Sequence, residues 1–301
     1  MRSATISIDW EDFGQLHGVY HGHGQTEPVG GAIERQTGII LDMLDEAGVK
    51  ATFFVLGMLA ADRPQLVRDI RLRGHEIGLH GHRHVMMSEL PLAQARQDLE
   101  TCYKVVTDIL GEKVHGYRAP FFSIDASSFP MLDAMAEIGL TYDSSIFPKK
   151  MSRYGVEGFE EEDCLYSLPG GGEIVELPLT VSHYLGSTWP VSGGGYIRLM
   201  PRFLVDRVFH DLRTSGKSAM IYMHPYEFDS RPIEVAANYP PAARRQTARV
   251  VFLNLRWNFL RSSVRGKIAG LLKEHKFITC LDRANHVKEN GIRSKLLGRK
   301  E

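Results

Sequence analysis

The chain has 301 residues, of which 43% are apolar and 24% charged, and its 36 basic and 36 acidic side chains cancel to a formal net charge of zero. With no low-complexity tract, this composition describes a folded protein with material for a large core and excludes disorder except at the two ends. No apolar run approaches the roughly 18 residues of a membrane helix, so the length fits either two average domains or one large α/β barrel.

The opening MRSATISIDWEDF lacks the basic start, apolar run and cleavage site of a signal peptide. Its ATISID (4–9) predicts a strand, and GAIERQTGIILDMLDEAG (31–48) predicts a helix stopped by Gly48. ATFFVLG (51–57) predicts a strand, and Asp62 with Pro64 opens a helix ending at Gly74. EIGLH (76–80) predicts another strand, and the segment 92–110 puts Leu92, Ala95, Leu99, Cys102, Val106 and Ile109 on one helical face. The alternation continues through VHGY, a helix around Met131 to Ile138, TYDSS, IVELPLT, a helix from Pro201 to Gly216, SAMIYMH, a long helical region and the strand-like FITCL (277–281). Repeated β then α units argue for a parallel sheet, and about seven or eight of them are what a barrel needs. With no internal repeat and no linker, one domain over 1–285 with a basic tail over 286–301 is expected. Cys102, Cys164 and Cys280 have neither metal-ligand nor CxxC spacing, so they read as small buried hydrophobes, and a reducing cytoplasmic location is expected.

Polar residues gather where these strands end: Asp9-Trp10-Glu11-Asp12, His80, Arg118-Ala119-Pro120-Phe121, Asp143 and His224. In a parallel barrel all strand C-termini open on one rim, so five separated points of sequence converge on one site, which argues for an enzyme. His80 and His84 are four apart and can share one ion with a carboxylate from the first strand, a three-ligand arrangement that leaves room for water and substrate. His75 precedes its strand and His82 points away from the pair, so both read as surface residues. Taken singly, an i, i+4 histidine pair, an acidic quartet or an arginine is more often surface decoration than machinery. Their joint placement at strand ends carries the weight.

SIDWED, HGHRH, GYRAPFF, YDSSIFP and IYMHPYE resemble, in order and separation, the motifs of the NodB-homology polysaccharide deacetylases, carbohydrate esterase family 4. YDSSIFP followed by RYG, ELPLT, GGGYIRLMP and HPYE is most similar to the subgroup found in exopolysaccharide loci with exosortase systems. The resemblance covers about residues 3 to 285. It implies a distorted (β/α)7 or (β/α)8 barrel, with Asp9 as general base, Arg118 holding it, His224 as general acid, and His80 and His84 binding a divalent metal, commonly zinc. The family's usual first motif has two adjacent aspartates, the second a metal ligand; here spacing points to Glu11 and residue type to Asp12, and Asp12 is the expectation taken. Phe147 stands where the family's fourth motif often has tryptophan. The implied activity is N-deacetylation of an N-acetylated amino sugar in a bacterial surface polysaccharide or its lipid-linked precursor, with a backbone N–H near Phe121 completing an oxyanion hole. A deformylase or amidohydrolase on a nucleotide- or lipid-linked sugar and an inactive carbohydrate-binding module are the alternatives.

Phe121, Asp143, Trp189 and Tyr196 are the expected substrate contacts; Tyr184, Trp189 and Tyr196, beside the glycines of HYLGSTWPVSGGGY, read equally as a sugar-stacking wall or as packing over the barrel mouth. The loop HGVYHGHGQ (17–25) reads as a cover for the same mouth. From residue 241 to 301 there are 15 basic and 4 acidic residues, which leaves 21 basic and 32 acidic in the first 240. Such asymmetry suggests a partner for the basic end. No nucleic-acid-binding motif accompanies it, so nucleic acid is not expected. The stretch VVFLNLRWNFLRSSVRGKIAGLL reads either as an interfacial helix on the anionic inner surface of the membrane, through Trp257, Phe259 and Leu260, or as a helix packed on the barrel by Val251, Leu253, Trp257 and Leu260. The oligomeric state is left open.

Overall fold

A computed structural model describes residues 4–20, 32–184, 186–238, 247–290 and 294–296. The strands are β1 (Ala4–Trp10), β2 (Thr52–Val55), β3 (Glu76–Leu79), β4 (Gly116–Tyr117), β5 (Tyr142–Asp143), β6 (Cys164–Ser167), β7 (Glu173–Glu176), β8 (Val181–Tyr184), β9 (Ser187–Pro190), β10 (Ala219–Met223) and β11 (Ser294–Leu296). Nine form one curled sheet in the order β10-β1-β2-β3-β4-β5-β7-β6-β11, and β8 with β9 makes a separate hairpin. Neighbours from β10 to β7 are parallel, and only β6 runs against β7. This is the expected distorted (β/α) barrel. Where β7 and β10 would meet, the chain after β7 bridges the gap: Met220 N donates to Thr180 Oγ1 at 2.7 Å and Tyr222 N to Ser192 O at 2.9 Å.

Period-two alternation divides β1 between two environments. Ile6, Ile8 and Trp10 face the main core, which they share with the helices Ala32–Ala47, Leu92–Leu110 and Val264–Glu274. Thr5, Ser7 and Asp9 form a polar column inside the barrel, all at most 2% exposed. Two arginines satisfy that column. At the bottom, Arg283, paired with Asp163, donates to Thr5 Oγ1 at 3.0 Å; at the top, Arg118 donates to Ser7 Oγ and to Asp9 Oδ1, both at 2.7 Å.

Arg283 belongs to the helix Cys280–Glu289, which closes the bottom of the barrel. FITCL is therefore not a strand: only Phe277 makes a single bridge, to Ala4, and the helix begins at Cys280. Thr279 caps it, its Oγ1 accepting from Asp282 N, while Cys280 N donates to Thr52 Oγ1 at 2.8 Å and Leu281 N to Glu76 Oε2 at 2.9 Å. The expected tail boundary at 285 falls within this helix, and Ser294–Leu296 pairs with β6 beyond it. His75 corrects a second expectation: it is fully buried at this end of the barrel, its Nδ1 accepting from Ala51 N at 3.2 Å and its ring against Phe53. His82 is half-buried. All three cysteines are buried thiols.

Candidate active site

At the open end of the barrel the polar column ends in a fixed ion pair. Arg118 is fully buried, and every direction of its guanidinium is used: Nη1 on Asp9 and Ser7, Nε on Ser144 O at 3.1 Å, Nη2 on Ser144 Oγ at 2.9 Å, with its plane over the Phe54 ring at 4.2 Å. Burial alone would raise the Asp9 pKa, but Arg118 and, more weakly, His80 and His224 outweigh it and hold the carboxyl below its ordinary value. Asp9 is thus kept ionised and aimed.

Beside it stands a carboxylate with different surroundings. Glu11 is fully buried, yet among the described residues none gives either oxygen a hydrogen bond of ordinary geometry. What the oxygens face are imidazoles: Oε2 touches His84 Nε2 and lies 4.0 Å from His80 Nε2, and Oε1 lies 3.4 Å from His224 Nε2. One donor atom each from Glu11, His80 and His84 lie within 4.8 Å of one another. A buried anion costs free energy unless a proton or a cation answers it. A carboxylate with two imidazoles is a donor set suited to a divalent cation.

Local backbone brings the histidines together. β3 ends at Leu79, Gly81 turns at φ 73° and His84 itself sits at φ 47°, so the segment folds back on Glu11 instead of continuing as a helix. Buried Asp98, from the helix Leu92–Leu110, clamps it by accepting from His82 N at 2.6 Å and Arg83 Nε at 3.1 Å. His80 Nδ1 lies 2.8 Å from Arg118 O; a carbonyl only accepts, so Nδ1 carries the hydrogen and Nε2 keeps its lone pair toward Glu11. Burial lowers the His80 pKa to about 4, which keeps the ring neutral as a ligand must be.

His224, at the end of β10, is stacked on Tyr226 and held by Glu227, whose Oε2 lies 3.3 Å from its Nδ1 and accepts from its backbone N–H at 2.9 Å. Burial disfavours the imidazolium, but Glu227, Glu11 and Asp9 together raise the pKa to about 9. Glu227 approaches so closely that a Cβ on Gly194 would lie 2.0 Å from its Oε2. Sequence reasoning overlooks Glu227, although its place three residues after His224 in HPYE is a capping-box signal. Ser7, Ser144 and Asp98 are likewise missed, because their roles depend on strands and helices distant in sequence.

These groups open into a cleft of about 610 Å³, lined also by Phe121, Tyr154, Tyr196, Tyr222, Phe252 and Trp257. Phe121 and Tyr196, two of the expected substrate contacts, thus line the cleft, Phe121 packing its ring on His84 at 4.6 Å. Three expectations are corrected. Asp12 does not join the histidines: its Oδ1 accepts from Gly14 N at 2.9 Å and its N–H donates to Gln15 Oε1, a cap on the helix Phe13–Tyr20. Asp143 is sealed beneath the cleft, opposite Glu176 in the β5–β7 ladder, accepting from Ser145 Oγ, which in turn accepts from Ala119 N at 2.7 Å. Trp189 lies on the β8–β9 hairpin, 55% exposed and off the cleft wall, as does Tyr184. Phe147 is buried, and Tyr154, which packs on it, reaches the cleft. Of the loop 17–25, residues 21–25 and the side chains of 17–20 lie outside the described residues.

Comparison with known proteins divides the chain in two. A family model described as polysaccharide deacetylase matches residues 30–142, and one described as a domain of unknown function (DUF3473) matches 144–284. The chain is similar to the chitooligosaccharide deacetylase of Sinorhizobium fredii, 33% identical over 133 residues that make up 44% of this chain and 60% of that one. Against three curated relatives it spans 19%, 32% and 60% of their lengths. Among solved structures, a Mycobacterium smegmatis protein assigned as a polysaccharide deacetylase has a TM-score of 0.62 at 20% identity, covering 100% of this chain and 96% of that one. The allantoinase PuuE has a TM-score of 0.58 at 16% identity, covering 95% and 91%. The first matched segment holds His80, His84 and Arg118, the second His224 and Tyr196, while Asp9 and Glu11 precede both.

Proposed function

We propose, from the match of residues 30–142 to the polysaccharide deacetylase family and from the geometry of the site, that the chain is a metal-dependent N-deacetylase acting on an N-acetylated amino sugar of a glycan or of its lipid-linked precursor. The observation that carries the reading is the pairing of two unlike carboxylates at one strand end. Asp9 is neutralised by Arg118, whereas buried Glu11 has, among the described residues, imidazole nitrogens before it and no arginine or lysine. Glu11, His80 and His84 would hold the metal, with zinc suited to the donor set. When bound, a divalent ion supplies Lewis acidity toward the amide carbonyl and lowers the pKa of water.

The chain's own residues supply the proton transfers. Asp9, ionised and held by Arg118, accepts the proton of the attacking water. As the water oxygen bonds to the carbonyl carbon and the C–N bond breaks, the amine nitrogen needs a proton. His224 would give it one, its imidazolium favoured by Glu227, which also aims its ring. Tyr196 and Phe121 on the cleft wall would position the sugar.

Incubation with oligomers of N-acetylglucosamine, before and after chelation and with zinc restored, tests this reading. Acetate release that chelation abolishes and zinc restores is expected. Formate release from an N-formyl sugar in its place would select the deformylase alternative, and release unaffected by chelation would remove the metal.

A further inference from the structure

The outer half of the cleft is built from material that a glycan does not call for. The helix Ala248–Asn258 is apolar on two sides. Val250, Leu253 and Trp257 turn inward onto Phe13, Leu16 and Tyr226. Val251, Phe252, Leu255 and Phe259 turn outward and are 49%, 61%, 69% and 60% exposed. Of the residues expected to pack this helix on the barrel, Leu253 and Trp257 do so, whereas Val251 and Leu260 are exposed; of those expected at an interface, Phe259 and Leu260 are exposed and Trp257 is turned inward. Phe252, Leu255 and Phe259, with Leu199 at 56% exposure, line the mouth of the same cleft that has Glu11 and His224 at its floor. Exposed apolar groups in such a cluster mark an interaction surface.

Charge identifies the occupant. From Val235 to Lys273 the sequence contains no acidic residue and eight basic ones, at 244, 245, 249, 256, 261, 265, 267 and 273; Arg261 and Lys267 are buried on backbone carbonyls, and Arg249, Arg256, Arg265 and Lys273 are exposed. Arg249 and Arg256 lie three residues before and four after Phe252, on the same outward face, and both are exposed. Apolar tips flanked by arginines suit the interface of an anionic bilayer, where rings enter the acyl boundary and guanidinium groups remain among the head groups. At this mouth Leu199, Phe252, Leu255 and Phe259 offer a glycan no hydrogen bond, and the donor beside them, Arg256, is a cation suited to a head-group phosphate.

We infer that the Ala248–Asn258 face docks on an anionic lipid surface and presents the cleft to a sugar carried on a lipid at that surface. The docking stands on the geometry alone; the sugar as substrate rests on the deacetylase reading above.

Vesicle flotation tests it, using the full chain with phosphatidylcholine vesicles and with phosphatidylcholine–phosphatidylglycerol vesicles at low and high salt. Binding is expected only to the anionic vesicles and is expected to weaken with salt. Arg249→Glu with Arg256→Glu should lower it by at least about fivefold per site, and Phe252→Ser with Leu255→Ser by at least about tenfold, each with an unchanged circular dichroism spectrum because the replaced side chains are exposed. Wild-type protein that ignores anionic vesicles overturns the inference. So does a dimer, seen by sedimentation, that Phe252→Ser with Leu255→Ser dissociates in the absence of lipid binding, since a second copy would then cover the face. Acetate release from a soluble oligosaccharide and from an N-acetylglucosaminyl lipid in the same vesicles, measured alongside, separates the two readings: release without flotation overturns the docking and leaves the deacetylase, and flotation with no release from either substrate supports the docking and removes the deacetylase.

Discussion

On the floor of the cleft Asp9, Glu11, His80, His84 and Arg118 are each at most 2% exposed, while on its rim Phe252, Leu255 and Phe259 are between 60% and 69% exposed. The floor draws its residues from the ends of β1, β3 and β4, and its geometry is fixed by buried hydrogen bonds that Ser7 Oγ and Ser144 Oγ accept from Arg118 and that Arg118 O accepts from His80. The rim draws on one helix and the stretch around Leu199; hydrogen bonds from Ile233 N to Asn258 Oδ1, Val235 N to Asn254 Oδ1 and Arg198 to Trp257 O hold that helix from its inner side, while its outward apolar tips are left to solvent. The contrast separates two tasks. Groups that move protons must be aimed before the substrate arrives, because each misplacement costs rate. Groups that only gather a substrate or a surface need area, and exposed side chains supply it without preorganisation.

The largest effect should come from the floor. Glu11→Ala removes the carboxylate between the two histidines, and turnover is expected to fall by at least about a thousandfold, with metal content lost in the same preparation. Metal analysis beside acetate release checks it, and full occupancy in Glu11→Ala would break the comparison at its base. Next in size, Asp9→Asn should lower turnover by about a hundredfold or more while leaving the metal in place, because Asp9 answers Arg118 and not the histidines. An Asp9→Asn protein that loses its metal would show that the two carboxylates are not functionally distinct.

How much of this is legible in the sequence depends on whether the governing interaction is local. The β/α frame through residue 110 follows from apolar period, Pro64 and Gly48, all local signals, and the structure places those elements within a few residues. FITCL misleads because its composition suits a strand, while the competing helix-start signal, Thr279 with Asp282 three residues on, is decided by what the helix must do: plug the barrel with Arg283. The carboxylate that faces the histidines is legible by period and not by residue type. Thr5, Ser7, Asp9 and Glu11 alternate on one face of β1 and its extension, which selects Glu11, whereas Asp12 falls on the other side and begins a helix. Asp143 and Trp189 are misjudged because a polar or aromatic residue near a strand end carries no record of its depth.

Asp143 and Glu176 sharpen the contrast from below, since buried carboxyls that face each other behave unlike carboxyls that face a cation. Burial raises the Asp143 pKa to about 6, and burial with Asp143 beside it raises that of Glu176 well above the ordinary range. In the unfolded chain both groups ionise near pH 4. Between there and neutrality the folded state binds more protons than the unfolded one, so this pair's contribution to stability falls as pH rises from about 4 through 6 and beyond. Glu176→Gln retains an oxygen to accept from Ile146 N and removes the charge. Its melting temperature should exceed that of the wild type at pH 8 and match it near pH 5, each kcal/mol appearing as about 2–4 °C. A difference independent of pH would mean that the pair is not what titrates.

The smallest effect should come from Asp12, and it discriminates most finely. If Asp12 only caps the helix Phe13–Tyr20, Asp12→Asn keeps an oxygen for Gly14 N and changes little, whereas Asp12→Ala loses the cap at a cost of about 1 kcal/mol. Neither substitution should alter metal content, since Glu11, one residue away, faces the histidines independently. A carboxylate bound to a cation behaves differently: an amide in its place loses the charge and weakens the site even though the shape is kept. Asp12→Asn therefore separates the two roles without disturbing the helix. Full metal occupancy with an unchanged melting temperature is the expected result, and loss of metal from Asp12→Asn would return the ligand role to Asp12 and leave buried Glu11 to be explained by its histidine contacts alone.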